Sequence, residues 1–197
     1  FGDVDKRFYH GAIRIFPVVQ PHYWALELVD FLIGSESYAM EAPRFSFYED
    51  SLATNQPTRV NRLIVDTGTT YFTAPPGICA KILKLVPGGP CMVTKKYPNI
   101  TYRLVDEEGS PYDLVVPPSV YMVTDDGKYC EPAFMSIDVP SEYGPAFLLG
   151  EVFMRRTRPI SCVFKWSEMS GLSMSMPVAL FKSNPLIVLL SSPEIRT

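Results

Sequence analysis

The sequence predicts an all-β domain with one or two short helices. Three observations carry that expectation. Proline is abundant, at 19 of 197 residues, and aromatic residues reach 13%; both suit a protein of many turns and pleated strands better than a helical bundle. Apolar residues gather in short runs rich in Val, Ile, Leu, Phe and Tyr, and clusters of Gly, Pro, Asn and Asp separate the runs. Helical spacing shows in only one or two stretches. The length suffices for one domain with its own core, and a hydrophobic content of 47% is ordinary for a globular chain.

Taken in order, residues 12–19 read as a strand and residues 23–33 as a second, longer one, joined through Gln20-Pro21-His22. Gly34-Ser35-Glu36-Ser37 is a turn. Residues 38–60 carry Pro43, Asn55 and Pro57 without clear periodicity, and read as a long surface excursion with at most one short strand, at 44–48. Arg62-Leu63-Ile64-Val65 is a short apolar strand ending at Asp66. Beyond it, Ile78, Ile82 and Leu85 recur at helical spacing. Proline at the first turn and Pro87-Gly88-Gly89-Pro90 past the end bracket a helix over 78–85. Short strands follow near 100–105, 112–116, 119–123 and 132–137, parted by Glu107-Glu108-Gly109 and Asp125-Asp126-Gly127. Phe147-Leu148-Leu149 reads as a buried strand, residues 151–156 as a short helix and residues 160–166 as a last strand.

Charge and composition exclude some functions. The net charge is −3 and no basic stripe is interleaved with aromatics, which argues against a nucleic-acid partner. The most apolar run, Leu186-Ile187-Val188-Leu189-Leu190, is far shorter than a membrane span. Phe1-Gly2-Asp3-Val4-Asp5 is neither basic nor followed by an apolar segment, so it does not read as a signal peptide. The four cysteines (Cys79, Cys91, Cys130, Cys162) form no CxxC, and His10 and His22 are not at metal-ligand spacing, so no zinc site is expected. An even count permits two disulfides, and three pairings remain open. Glu107-Glu108 and Asp125-Asp126 read as solvated turn charges, and Asn99-Ile100-Thr101 is a glycosylation sequon, a pattern frequent by chance.

One segment carries chemistry: Val65-Asp66-Thr67-Gly68-Thr69-Thr70. A carboxylate stands at the tip of a strand. Gly68 opens backbone conformations closed to other residues and lets another chain come close. Thr67, Thr69 and Thr70 supply hydroxyls able to bond the carboxylate or the backbone around it. Such a carboxylate suits a dyad. Two carboxyl groups sharing one proton cannot both ionise, so one stays protonated while the other acts as base. The pair then activates a water and protonates a leaving amine.

Around this motif the chain resembles the pepsin-like aspartic proteases, family A1, from Phe1 to about Ser175. Phe1-Gly2-Asp3-Val4-Asp5, with Tyr9 and Gly11, resembles the segment that opens the family's C-terminal lobe. Tyr23-Trp24 and Leu26-Glu27-Leu28-Val29-Asp30 resemble its YW…VD strand pair. Ile64 to Thr70 resembles the second active-site motif, IVDTGT(S/T), and Thr73 and Pro75 resemble the T-x-P after it. Pro98-Asn99-Ile100, Val116-Pro117-Pro118-Ser119-Val120-Tyr121, Phe147-Leu148-Leu149-Gly150, Val152-Phe153-Met154-Arg155 and Val163-Phe164 follow in the family's order. Pepsin, the usual example of two carboxyls sharing one proton, belongs to this family.

The resemblance implies the C-terminal lobe of the bilobal acid protease (pepsin-like) barrel fold over residues 1–176, with 38–60 as a surface insertion and 177–197 as a C-terminal extension. It implies an aspartic endopeptidase whose catalytic Asp66 is supported by Thr67, Gly68, Thr69 and Thr70, with Tyr23, Ile64 and Leu148 lining substrate pockets and Ser141 to Pro145 at the cleft rim. It implies a disulfide between Cys91 and Cys130, leaving Cys79 and Cys162 undecided. No cofactor and no metal are implied. The expected partners are a peptide or protein substrate, bound extended, and a missing N-terminal lobe, from the same precursor or a second chain. The expected location is the secretory pathway, endolysosomal or secreted, with a downstream membrane anchor open.

The chain departs from the pattern in places. It holds one Asp-Thr-Gly, so by itself it is expected to be inactive. Glu151 stands where the family usually has Asp, and Lys165-Trp166 where it has Asp-Arg. A non-catalytic protein-binding module is the alternative, and a homodimer with two copies of Asp66 is a further one, disfavoured by the C-lobe segments.

Overall fold

The computed structural model of the chain describes residues 13–20, 24–38, 61–138, 145–156, 163–165 and 186–190. In chain order they form β1 (Ile13–Gln20), β2 (Ala25–Ile33), β3 (Glu36–Ser37), β4 (Arg62–Val65), β5 (Phe72–Ala74), α1 (Pro76–Leu85), β6 (Gly89–Pro90), α2 (Cys91–Thr94) and β7 (Ile100–Val105). Then come β8 (Pro111–Val116), α3 (Pro118–Tyr121), β9 (Met122–Val123), β10 (Tyr129–Pro132), β11 (Phe134–Ser136), β12 (Ala146–Leu149), α4 (Glu151–Arg156), β13 (Val163–Lys165) and β14 (Leu186–Leu190). The fold is all-β with short helices, as the composition and turn spacing predict. The strand expected at 44–48 lies outside the described residues, and so does Cys162. Among the described residues no helix is long and apolar enough to cross a membrane.

β2 organises the main sheet. Its first half pairs antiparallel with β4, Ala25 to Ile64 and Leu26 to Leu63, and its second half pairs with β7, Phe31 to Tyr102 and Ile33 to Ile100. The register shifts between Leu28 and Asp30, a bulge that lets one long strand serve two partners. β2 starts at Ala25 rather than 23 because Trp24 turns with a φ of 48°. Across the sheet, the order runs β11-β5-β12-β4-β2-β1-β14-β13. A second small sheet, β6-β10-β9, sits apart.

Strand alternation sends Leu26, Leu28, Leu63, Phe147, Leu149 and Phe72 into one core. Phe31 stacks on Phe147 at 4.9 Å between ring centres, and Phe72 stacks on Phe134 at 5.0 Å and meets Phe153 of α4 edge-on at 6.0 Å. The helix expected over 78–85 is α1, begun two residues earlier by Pro76. Its buried face is Ile78, Cys79 and Ile82, with Val86 beyond the end, while Leu85 is exposed.

Four findings correct the sequence reading of individual elements. The strand expected at 119–123 is a one-turn helix, α3, followed by the two-residue β9. Pro118 lacks an N–H and has a preset φ, so it suits a helix's first position; Val120 and Tyr121 donate back to the Pro117 carbonyl at 2.9 and 3.3 Å. The strand expected at 132–137 is two strands that change partner at Ala133. β10 pairs with β9, β11 runs parallel to β5, and Ala133 itself bonds Tyr121 and Phe72. The sequence reading passed over β5, three buried residues with no room for alternation. It also weighed Leu186–Leu190 only as a membrane candidate, whereas this run is β14, paired with β1 and β13.

Candidate active site

Asp66 is the residue that follows β4, and the chain around it is held by β12. β12 lies between β4 and β5: it runs parallel to β4, Leu149 against Val65, and antiparallel to β5, Leu148 against Thr73. The connection from β4 to β5, residues 66–71, therefore crosses the end of β12. The Asp66 N–H donates to the Leu149 carbonyl at 3.1 Å. Past the crossing, the N–H groups of Glu151 and Val152 donate to the carbonyls of Thr69 and Thr70 at 2.7 and 3.0 Å. The first turn of α4 thus bonds the far side of the same loop, satisfying donors that a helix start leaves open.

The crossing is tight enough to exclude any side chain at position 150. A Cβ on Gly150 would stand 2.3 Å from the Tyr71 carbonyl oxygen and 2.5 Å from that of Thr69. Both obstacles are backbone, so neither moves aside cheaply.

The carboxylate is fixed from both ends. The Gly68 N–H donates to one Asp66 oxygen at 2.8 Å, and the Thr69 hydroxyl donates to the other at 2.5 Å. These are its side-chain partners among the described residues. Asp66 is half-buried, and Thr67, Gly68, Thr70 and Tyr71 around it are exposed. A carboxylate has about four acceptor positions, so two stay open to a water or a second carboxyl on the exposed side.

The other residues singled out from sequence fall as follows. Of the three threonine hydroxyls, Thr69 bonds the carboxylate and Thr67 and Thr70 do not. Ile64 and Leu148 are register partners on adjacent strands, on the face opposite the core residue Leu63. Ile64 is half-buried; Leu148 is buried, with its N–H bonded to the Thr73 hydroxyl at 3.1 Å. Tyr23 and residues 141–144 lie outside the described residues. Cys91 and Cys130 are bonded, with Cα atoms 4.9 Å apart. Cys79 is a buried free thiol on α1. A cavity of about 340 Å³ lies beside the disulfide, lined by Met92, Thr94, Pro118 and Met122 among others. Its walls carry no carboxyl, so it has no acid–base pair to offer.

Sequence reasoning passed over two charged residues. Glu27 and Arg62 are register partners on β2 and β4, on the face that carries Ile64 and Leu148. Both are half-buried; burial pushes the Glu27 carboxyl above and the Arg62 guanidinium below its ordinary value. A signal existed: charges at alternate positions in short apolar strands belong to a face other than the core.

Comparison with known proteins returns one family. The model described as eukaryotic aspartyl protease matches residues 1–168. Aspartic protease 3 of Toxoplasma gondii is 36% identical over 161 residues, covering 79% of this chain and 22% of that protein. Plasmepsin IX of Plasmodium falciparum is 28% identical over 205 residues, covering 79% of this chain and 32% of its own length. Cathepsin D of Rattus norvegicus is 28% identical over 163 residues, covering 78% and 35%. The chain therefore spans about a third or less of the length of these relatives.

Proposed function

The chain belongs to the eukaryotic aspartyl protease family, and from that premise we propose that it is a C-terminal lobe supplying Asp66 as one of two catalytic aspartates that hydrolyse peptide bonds. The single observation that carries the reading is the hold on Asp66. Its backbone is tied to β12, its two oxygens are tied to Gly68 and Thr69, and it stays half-open to solvent. A catalytic carboxylate needs such preorganisation, since a group already fixed spends no reorganisation when charge moves.

The second carboxyl comes from an N-terminal lobe of the same precursor or of a second chain. The unprotonated member of the pair takes a proton from a water lying between them, and that water attacks the peptide carbonyl. The protonated member hydrogen-bonds the carbonyl oxygen, and a proton passes to the leaving amine as the C–N bond breaks. The substrate lies extended, its side chains alternating between pockets that Ile64 and Leu148 help to line. Sharing one proton favours work at acid pH. The Cys91–Cys130 disulfide supports a secretory or endolysosomal location, since cytosolic thiols stay reduced.

The test is Asp66→Asn in the complete two-lobed protein. The variant removes a titratable group and keeps its shape. Cleavage of an acid-denatured protein substrate is expected to fall by at least about a thousandfold, the scale on which loss of a core catalytic group acts. The thermal midpoint is expected to stay put. Cleavage at the parental rate would refute the assignment. Full binding of peptide by the parent without cleavage would favour a non-catalytic binding module.

A further inference from the structure

Arg62 is the charged residue of a four-residue strand whose other members are apolar. Register sets it between Glu27 of β2 and Ala146 of β12. Alternation puts it on the face of Ile64, opposite Leu63, which is fully buried in the core. Ala25, Ile64 and Leu148 form the next register row on that face, nearer to Asp66. Arg62 thus stands one row behind the candidate substrate pocket, about 7 Å along the strand from Ile64.

Its guanidinium is not satisfied. Nε and Nη1 are closed off from solvent and have no hydrogen-bond partner among the described residues. Ala146 offers a methyl group. Glu27 faces it across the strand pair, yet no ion pair or hydrogen bond joins them. Burial favours the neutral form of Glu27, which weakens it as a counter-charge to the arginine. Buried donors without an acceptor are costly to keep. The acceptor that fits a guanidinium best is planar, anionic and two-pronged, which describes a carboxylate. Nη2 is not among the closed-off atoms and the residue as a whole is only half-buried, so a ligand can reach the guanidinium at that nitrogen.

We propose that Arg62 is a specificity-determining residue, whose guanidinium selects a peptide substrate with an acidic side chain in the pocket that Ile64 and Leu148 line. This rests on the reading of the chain as a protease lobe. Arg62 touches no reacting atom; it acts by binding.

The test uses the complete two-lobed enzyme and peptide pairs that differ only by Glu or Gln at one position, scanned on both sides of the scissile bond. At one such position the parent is expected to favour Glu by about tenfold or more in kcat/KM, the scale of a charged hydrogen bond. Arg62→Gln is expected to bring the Glu-to-Gln ratio of kcat/KM down to about one, with the larger loss on the Glu peptide. Equal loss on both peptides would show Arg62 merely supporting the fold, and a parent indifferent to Glu at every position would also overturn the proposal. If Arg62→Gln does not fold, Arg62→Lys is read instead: it keeps the charge and loses the fork. It is expected to keep the sign of the preference at several-fold lower size, and an unchanged ratio would place the carboxylate elsewhere. The same peptides are bound, by fluorescence anisotropy, to Asp66→Asn. Selective binding there without turnover by the parent would sink the protease reading and leave Arg62 as the acidic-peptide contact of a binding site. Turnover by the parent without selectivity would do the reverse.

Discussion

Thr69 is where the protein has chosen one hydroxyl out of three. Thr67, Thr69 and Thr70 look alike in sequence, but the loop's path over β12 turns only Thr69 onto the Asp66 oxygen. A hydrogen bond to a charged group is worth about 1.5–3 kcal/mol. Thr69→Val keeps the shape and removes the donor, so kcat/KM of the complete enzyme is expected to fall about ten- to a hundredfold. Thr69→Ser, which restores a hydroxyl, is expected to recover most of that. A valine variant as active as the parent would mean that the bond only decorates the loop. At this scale the sequence was legible wherever a motif crowds several requirements into adjacent positions. Asp66, Gly68 and Thr69 were readable together because the strand tip, the open glycine and the hydroxyl sit side by side. Arg62 was not, because its meaning depends on Glu27 and Ala146, which lie 35 residues before and 84 residues after it in the chain.

Among the elements, the same contrast holds between local and distant causes. The helix α1 was readable because proline starts it and a Pro-Gly cluster follows it, both local signals. β2, β4, β7 and β8 carry enough apolar residues to declare themselves. β5 and β14 did not: three buried residues show no period, and β14 is a strand only because β1 and β13 flank it. α3 replaced an expected strand because two successive prolines favour a turn over a ladder. The disulfide is an element-scale device as well. It ties the start of α2 to β10, near the β6–β10 pairing in which Cys130 faces Gly89. Its loop spans 39 residues, for which the chain-entropy model gives about 4 kcal/mol. Replacing both cysteines by serine is expected to lower unfolding free energy by about that amount in denaturant titrations. Loss of less than about 1 kcal/mol would mean that the β6–β10–β9 sheet holds this corner by itself.

For the whole molecule, the question is what completes the site. In the proposed mechanism a single carboxyl cannot be base and acid in the same step, so one copy of Asp66 would leave that reaction without its second member. Two arrangements supply one: a separate lobe, or a second copy of this chain. They differ in rate law. A separate lobe predicts that the isolated chain is inert at every concentration, and that activity appears on adding the lobe and saturates at one-to-one mixing. A homodimer predicts activity of the chain alone, rising as the square of its concentration until the dimer saturates. The lengths of the relatives favour the first, while the fold admits both. β12 and α4 hold the Asp66 loop through the backbone of Asp66, Thr69 and Thr70, while Thr67 and Gly68 stay exposed, which suits either arrangement. The relatives that match are about three or more times longer than the stretch this chain covers, which leaves room in them for a further lobe. Progress curves on an acid-denatured protein, run over a concentration series with and without the N-terminal lobe, read the order directly. We expect zero rate from the chain alone throughout the series. A quadratic rise without the added lobe would overturn that expectation and place two copies of Asp66 on a shared axis.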